Sequence, residues 1–239
     1  MSVIHELCCG TVDEIELAAA IGVDRIELCS GLACGGLTPS PAMLHRAKEL
    51  GLETIAMVRS REGGFVYSQD EFRTMLRDAK WLVEEGADGL VFGFLTESGE
   101  LDAHRTNLMV EVTGARFTMM HRASDASTNL NQTVEALINL GVDRVLTSGQ
   151  GGNAENGTVK LKELTERFGG HIQVVAGGGI RPDNVIQMVK DSLVPAIHYA
   201  ARKNVDSPGY AGVSDPTPDA EMIREMKAKL EAYSSSLNA

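Results

Sequence analysis

Two short segments of the chain end in the same three residues, and both carry side chains that can do chemistry. Glu6 and Cys8 close one apolar run, and Glu27 and Cys29 close the next run, 21 residues later. In a β-strand, residues i and i+2 share a face, so each segment directs one carboxylate and one thiol to the same side. A spacing of 21 residues is about one strand–helix unit, which can lay the two strands side by side. We therefore expect two carboxylates and two thiols to converge in one small region.

The elements that must position these residues alternate regularly along the chain. Short apolar runs alternate with amphipathic stretches, and the helices have recognisable starts, such as the capping boxes that begin at Thr11 and Ser68. Glycine precedes several of the apolar runs, as is typical where a helix ends and the next strand follows. Eight strands are predicted, at residues 4–8, 25–29, 54–58, 89–92, 117–121, 144–148, 173–176 and 196–199, with a last helix at 219–233.

Eight strands that alternate with helices predict a closed parallel (β/α)8 TIM barrel. We expect it to form a single domain over residues 1–239, a normal length for this fold. An open, doubly wound sheet is the alternative. It is less favoured because no Gly-x-Gly-x-x-Gly motif follows the first strand.

Charge, apolar runs and cysteine positions indicate which binding partners and which cellular compartment to expect. The net charge is −11 and no continuous basic stripe is present, so we expect no nucleic-acid partner. The apolar runs are too short for a membrane span, and no secretory signal is visible, so we expect a cytoplasmic protein without a membrane partner. All four cysteines lie within the first 34 residues. In the cytoplasm they are expected to be reduced.

Further polar residues follow the predicted strand ends, where TIM barrels carry their reacting groups. Together with the two triplets they form the candidate site, which comprises Glu6, Glu27, His121 and Asp125 as catalytic groups and Arg59, Arg61, Arg122, Ser148, Gly177, Gly178 and His198 as binding groups. Carboxylates and histidine are the usual acid–base groups. Arginine forks and the backbone N–H groups of a glycine loop suit phosphate or carboxylate oxygens.

Each of these features also has a purely structural explanation. Buried cysteines commonly pack as small hydrophobic residues, although two thiols on adjacent strands can also bind Cu(I). Glu6 and Glu27 can form ion pairs with neighbouring arginines such as Arg25. The glycines at 177–179 can serve a tight turn.

Several segments resemble the CutC copper homeostasis family. They are DRIELCSG at 24–31, GGLTPS at 35–40, FVYS at 65–68, HRASD at 121–125, RVLTSG at 144–149 and GGGI at 177–180. The similarity runs from about residue 4 to residue 198, and departures from the family pattern fall at Ser60, Gly64, Ser124 and Tyr199. The resemblance implies a TIM barrel, a cytoplasmic location, a role in copper handling and self-association as a dimer or tetramer. It implies Cys8 and Cys29 as ligands of Cu(I).

Two functional hypotheses follow. The resemblance implies a copper-homeostasis protein that binds Cu(I) through two cysteines. The polar residues at the strand ends indicate instead an enzyme that acts by acid–base chemistry on a small anionic or sugar-like metabolite, as a lyase, isomerase or hydrolase would.

Overall fold

The computed structural model describes residues 2–206 and 214–237. In this part of the chain, parallel strands β1 to β8 close into a barrel in which each strand pairs with the next and β8 pairs with β1. The strands are β1 (Ile4–Cys9), β2 (Arg25–Leu28), β3 (Thr54–Met57), β4 (Gly89–Phe92), β5 (Phe117–Met120), β6 (Arg144–Thr147), β7 (Gln173–Gly177) and β8 (Ala196–Tyr199). The predicted TIM barrel is confirmed.

Helices follow the strands and pack around the barrel. They are α1 (Val12–Ile21), α2 (Pro41–Glu49), α3 (Gln69–Glu84), α4 (Ala103–Thr113), α5 (Leu130–Asn139), α6 (Thr158–Phe168), α7 (Val185–Ser192) and α8 (Ala220–Leu237). The predicted capping box at Ser68 forms, since its side chain accepts from the Glu71 N–H and the Glu71 carboxylate accepts from the Ser68 N–H. None of the described helices combines the length and apolar character needed to cross a bilayer.

Alternation of side chains along the strands divides the core into two layers. Outward-facing residues such as Leu7, Ile26 and Leu28 pack against the helices and belong to a large apolar cluster. Inward-facing residues fill the barrel as a smaller cluster that includes Cys8, Cys29, Ile55, Met57, Val91, Met119, Leu146, Val175 and Ala196. Both faces of the strands are thus buried, which is usual for parallel sheets.

The structure adds an element that the sequence pattern did not indicate. An antiparallel ribbon of β9 (Arg202–Asp206) and β10 (Ser214–Pro218) follows the barrel strands and precedes α8. The Arg202 guanidinium donates to the buried Glu14 carboxylate, which joins the start of the ribbon to α1. Six of the eight barrel strands end one residue before or after the predicted end, and Cys29 lies just beyond β2.

A charged network lies inside the barrel, among the inward-facing residues of β1, β2, β7 and β8. The Glu6 carboxylate is completely buried and accepts a hydrogen bond from the Arg25 guanidinium, which also donates to Gln173 at 3.1 Å. Arg25 is the register partner of Glu6 on the adjacent strand. The alternative structural explanation for Glu6, an ion pair with Arg25, is therefore present in the fold.

The stability of the barrel should depend on Arg25, because this residue is the cationic partner of the buried Glu6 carboxylate. Arg25→Met should lower the free energy of unfolding by roughly 3–5 kcal/mol, because it removes a partner from a buried carboxylate. Urea denaturation measures this difference.

Two controls separate charge burial from loss of packing. Arg46→Met removes the solvent-exposed ion pairs of Arg46 with Glu16 and Glu49 and should change stability by only about 1 kcal/mol or less. The double variant Glu6→Gln/Arg25→Met should regain much of the loss. An Arg25→Met protein as stable as Arg46→Met would contradict the prediction.

Candidate functional site

A cavity of about 410 Å³ lies at the C-terminal ends of the barrel strands. Its charged and titratable lining residues are Glu27, Arg59, His121, Arg122, Arg181 and His198. Cys8 joins them, and the apolar walls come from Leu32, Met57, Phe65, Leu146 and Ile180, among others. The cavity therefore has apolar walls with a few convergent polar groups, the usual composition of a small-molecule site.

Three of the lining residues form a compact cluster on neighbouring strands. Cys8 pairs in register with Glu27, and one potential ligand atom from each of Cys8, Glu27 and His198 lies within 4.8 Å of the others. The barrel topology brings them together, because β1 is hydrogen-bonded to β2 on one side and to β8 on the other. The sulfur, carboxylate and imidazole are thus in direct reach of one another.

The buried Glu6 carboxylate fixes the orientation of the His198 ring. Its Nδ1 donates to the Glu6 carboxylate at 2.8 Å, and Arg25 holds the same carboxylate from the other side. Burial opposes ionisation of Glu6, but the His198 and Arg25 partners outweigh it and lower its pKa to about 2. Burial likewise opposes the charged form of His198, yet Glu27, Cys8 and Glu6 together raise its pKa well above the ordinary value. The result is an ionised Glu6 with an imidazolium at His198.

Glu27 is a buried carboxylate whose hydrogen-bonding capacity is incompletely used. Its Oε1 accepts a long hydrogen bond of 3.7 Å from the Cys8 thiol, and its Oε2 is buried with no partner. Burial raises the pKa of Glu27, with repulsion from Glu6 adding to it and His198 opposing it. A carboxyl group with a raised pKa is a stronger base than an ordinary glutamate, as a proton-transfer group requires.

His121 presents a second unsatisfied group to the cavity. Its Nδ1 accepts from the Ala123 N–H at 3.1 Å, so Nε2 carries the proton of the neutral ring, and this atom is buried without a partner. The Phe65 ring packs against it, with centroids 5.0 Å apart. Burial, reinforced by Arg59, lowers the pKa of His121 to about 3. His121 is therefore a neutral hydrogen-bond donor.

The arginines of the rim are held by different partners. Arg59 donates to the carbonyl groups of Cys34, Gly36 and Gly63, and its Nε is buried without a partner. Arg122 donates to Asp125 at 2.8 Å, and its guanidinium lies against the backbone of Gly178. These contacts aim two guanidinium groups at the cavity.

The same cluster contains the donors that a metal ion would use. Cys8, Glu27 and His198 supply sulfur, oxygen and nitrogen, and the Sγ atoms of Cys8 and Cys29 are 3.9 Å apart. The contact with Cys29, then burial, raises the pKa of the Cys8 thiol well above its ordinary value. Metal binding at this thiol must therefore displace its proton.

The comparison with known proteins identifies the family. The model of the CutC family matches residues 3–203. The chain belongs to the CutC family. It is 41% identical to the family protein CutC of Treponema denticola over 224 residues, which cover 90% of this chain and 91% of the relative. It is 34% identical to the CutC protein of Bacteroides fragilis over 98% of both chains. A solved CutC structure from Streptococcus agalactiae superposes with a TM-score of 0.77 at 28% identity and covers 82% of this chain and 97% of that one.

The structure gathers only part of the predicted site at the cavity of this CutC protein. Glu27, Arg59, His121, Arg122, Gly178, His198 and Cys8 line it. Glu6 does not reach it, because Glu6 lies two residues nearer the start of β1 than Cys8 and is enclosed by its partners. Cys29 is also fully buried outside the lining, although its thiol touches that of Cys8.

Four other predicted residues also lie outside the lining, and three of them support it. Arg61 is directed away and binds Glu71 and backbone carbonyls. Asp125 accepts from Thr147, from Ser148 and from Arg122, so it organises the loop that positions Arg122. Gly177 ends β7 just before the lining residue Gly178. Ser148 donates to Asp125 and accepts a hydrogen bond from Arg122. Asp125, Ser148 and Gly177 therefore position lining residues of the cavity, whereas Arg61 does not.

Some functional positions were not evident from the sequence. Gly93 follows β4, and a Cβ atom there would lie 2.5 Å from Cε1 of His121, so glycine is needed for the close approach of this ring. The Phe65 ring packs on His121. Tyr199, which lines the cavity, forms a hydrogen bond through its hydroxyl group with the Nε2 of His5 on β1. The sequence signals for these positions were the glycine directly after a predicted strand, the FVYS segment that contains Phe65, and the departure from the family pattern at Tyr199.

The neutral state of His121 predicts a pH dependence of stability. Because its pKa is near 3 in the folded protein and near 6.5 when unfolded, the unfolded chain binds one more proton between these values. Stability should therefore be fully present above pH 6.5 and should fall, through this residue, by about 1.4 kcal/mol per unit as the pH decreases toward 3.

Chemical denaturation of wild type and His121→Asn over this range tests the prediction. The variant should lack this part of the slope, whereas above pH 7 the two slopes should coincide as an internal control. Identical slopes below pH 6 would show that His121 is not buried in the neutral form.

Proposed function

We propose that this CutC protein is an enzyme that moves protons on a small anionic metabolite bound in the cavity. One observation carries the proposal. The Glu27 Oε2 and the His121 Nε2 are both buried, both lack a hydrogen-bond partner among the residues that the structure describes, and both belong to residues that line the same cavity. Unsatisfied buried polar groups are unfavourable for stability, so their retention in one cavity favours a ligand that completes them.

The two groups suit complementary roles. Glu27, with its raised pKa, can accept a proton from a carbon or oxygen of the substrate and return it later. His121, as a neutral donor, can stabilise the oxygen on which negative charge develops. A carboxylate base and a neutral imidazole donor form a combination suited to proton transfer next to a carbonyl group. This is chemistry of the isomerase or lyase type.

The charges around the cavity favour an anion. The protein as a whole carries a net charge of −11, yet Arg59, Arg122 and Arg181 all line this cavity, and Glu27 is its one lining carboxylate in the described part of the chain. Arginine forks bind carboxylate and phosphate oxygens in a fixed orientation. Gly178 and Gly179 also line the cavity, and both have the positive φ angles that favour glycine. A phosphate or carboxylate group of the substrate is expected at this side.

Exchange of substrate hydrogen with deuterium from solvent tests the proton transfer directly. We expect NMR of small hydroxy- or oxo-acids and sugar phosphates to reveal exchange catalysed by wild type. Glu27→Gln should reduce the exchange rate by roughly 10²–10⁴-fold, the usual contribution of a general base.

The control is Glu85→Gln, the same chemical change at a surface residue. It should keep the wild-type rate, and thermal melting should establish that both variants are folded. Exchange by Glu27→Gln at the wild-type rate would rule out its role as the base.

We also propose copper handling as a second candidate function, with Cu(I) as the cargo. The Streptococcus agalactiae relative is named for copper homeostasis. Cys8 and Cys29 approach to 3.9 Å between sulfurs, and both the Cys29 Sγ and the Met57 Cε pack beside Gly36. Two sulfurs at this separation can both lie about 2.3 Å from one ion, and soft thiolate and thioether ligands select Cu(I).

Anaerobic titration with Cu(I) against a chelating indicator tests this function. Wild type and the exposed-thiol control Cys34→Ser should bind one equivalent, whereas Cys8→Ser and Cys29→Ser should each lose tight binding. Equal affinity for Cu(I) in all four proteins would rule out a copper site formed by Cys8 and Cys29.

The remaining expectations stay predictions for this protein. They are a cytoplasmic location, self-association as a dimer or tetramer, and the lack of nucleic-acid or membrane partners. The acidic net charge supports the expectation about nucleic acid.

A further inference from the structure

We propose that Cys8, Glu27 and His198 form a binding site for one divalent transition-metal ion such as Zn²⁺, with an open coordination position toward the cavity. This inference deepens the proposed function and rests on it in one respect, namely that the reaction takes place in the same cavity. It differs from the copper hypothesis in its ligands, because it uses a carboxylate and an imidazole and does not need Cys29.

The geometry of the three side chains carries the inference. Their potential ligand atoms all lie within 4.8 Å of one another, and all three residues line the cavity. Ligand atoms around a tetrahedral Zn²⁺ lie about 3.5 Å apart, as follows from bond lengths of 2.0–2.3 Å. Small side-chain rotations therefore complete the site without a change of the strands.

A residue below the cluster already orients the imidazole as a metal site requires. The Nδ1 of His198 donates to the Glu6 carboxylate at 2.8 Å, and Arg25 holds Glu6 in place, so Nε2 is the nitrogen that an ion can bind once it displaces the proton there. Metal-binding histidines almost always donate their other ring N–H to a carboxylate, a backbone carbonyl or a water molecule.

The unpartnered oxygen of Glu27 gives an independent reason to expect an ion. Glu27 is 3% exposed, and in the part of the chain that the structure describes its Oε2 has no hydrogen-bond partner and no arginine or lysine bonds to it. A buried carboxylate oxygen without a partner is unfavourable unless a bound group completes it. A divalent ion at the Cys8–Glu27–His198 cluster supplies that partner.

The donor set selects the kind of ion. One sulfur, one nitrogen and one oxygen form a mixed set of the type that Zn²⁺ accepts, and three protein ligands with a free position are typical of catalytic zinc sites. Cu(I) would instead favour the two thiols. An ion bound here would supply a Lewis acid at this end of the cavity, and its charge would keep the Glu27 carboxylate ionised, with one oxygen as ligand and the other facing the substrate.

Anaerobic titration of chelator-stripped full-length protein with Co²⁺ tests the site, with Zn²⁺ added afterwards as competitor. Wild type should bind one Co²⁺ with a thiolate-to-cobalt charge-transfer band, and Zn²⁺ should displace it. The band should disappear in Cys8→Ser. His198→Gln and Glu27→Gln should weaken binding at least about tenfold, and Glu6→Gln, which removes only the partner of a ligand, should weaken it about 10–100-fold.

The matched control is Cys29→Ser, which changes the neighbouring thiol and should keep Co²⁺ affinity within about threefold of wild type if the ligand set is correct. Absence of a one-to-one complex in wild type overturns the inference. So does a Cys29→Ser variant that loses binding while His198→Gln keeps it, since that result assigns the ion to the two thiols. Circular dichroism establishes the fold of each variant, and the near-isosteric Glu27→Gln provides the decisive reading if His198→Gln does not fold.

The outcome is separable from that of the proposed function because binding is read without substrate. A protein that binds the ion but exchanges no hydrogen in any metabolite overturns the proposed function and supports this site. Deuterium exchange that proceeds at the full rate in the chelator-stripped protein supports the proposed function and overturns the metal site as a catalytic centre.

Discussion

The buried carboxylate of Glu6 is the group on which the arrangement of this barrel depends. It is fully enclosed, and its charge is compensated by the Arg25 guanidinium on one side and by His198 on the other. A buried charge without such partners is strongly destabilising, so the three residues must fold as a unit. The same contact fixes the plane of the imidazole. Stability of the interior and orientation of the candidate site therefore come from one interaction.

The buried polar side chains of the barrel differ in how many hydrogen-bond partners they have, and this difference locates the candidate site. Glu6 has two cationic partners, whereas the neighbouring Glu27 has only the weak donor of Cys8. His121 similarly uses one ring nitrogen within the loop and leaves the other free. Folded proteins satisfy nearly all their buried polar groups, and exceptions in a cavity are where ligands bind. The acid–base and metal proposals both arise from these unsatisfied atoms.

Much of the fold was readable from the sequence because it depends on local patterns. Side-chain alternation located the barrel strands, and glycines located the turns that precede them. The ribbon β9–β10 was missed because its strands, Arg202–Asp206 and Ser214–Pro218, are polar and rich in turn-forming residues. Arg61 was placed at the site because a position after a strand does not reveal which way a long side chain turns. Its direction depends on Glu71, which belongs to the next helix.

The twin Glu-Leu-Cys segments show why the different positions of the two glutamates could not be predicted. Equal sequences on adjacent strands suggest equal heights, but barrel strands are staggered, and the observed register sets Glu6 beside Arg25 and Cys8 beside Glu27. The first glutamate is therefore one inward-facing layer deeper than the second. That offset converts one carboxylate into a structural anion and leaves the other at the cavity, next to the first thiol. Stagger depends on closure of the whole barrel, so no feature within either triplet could have distinguished Glu6 from Glu27.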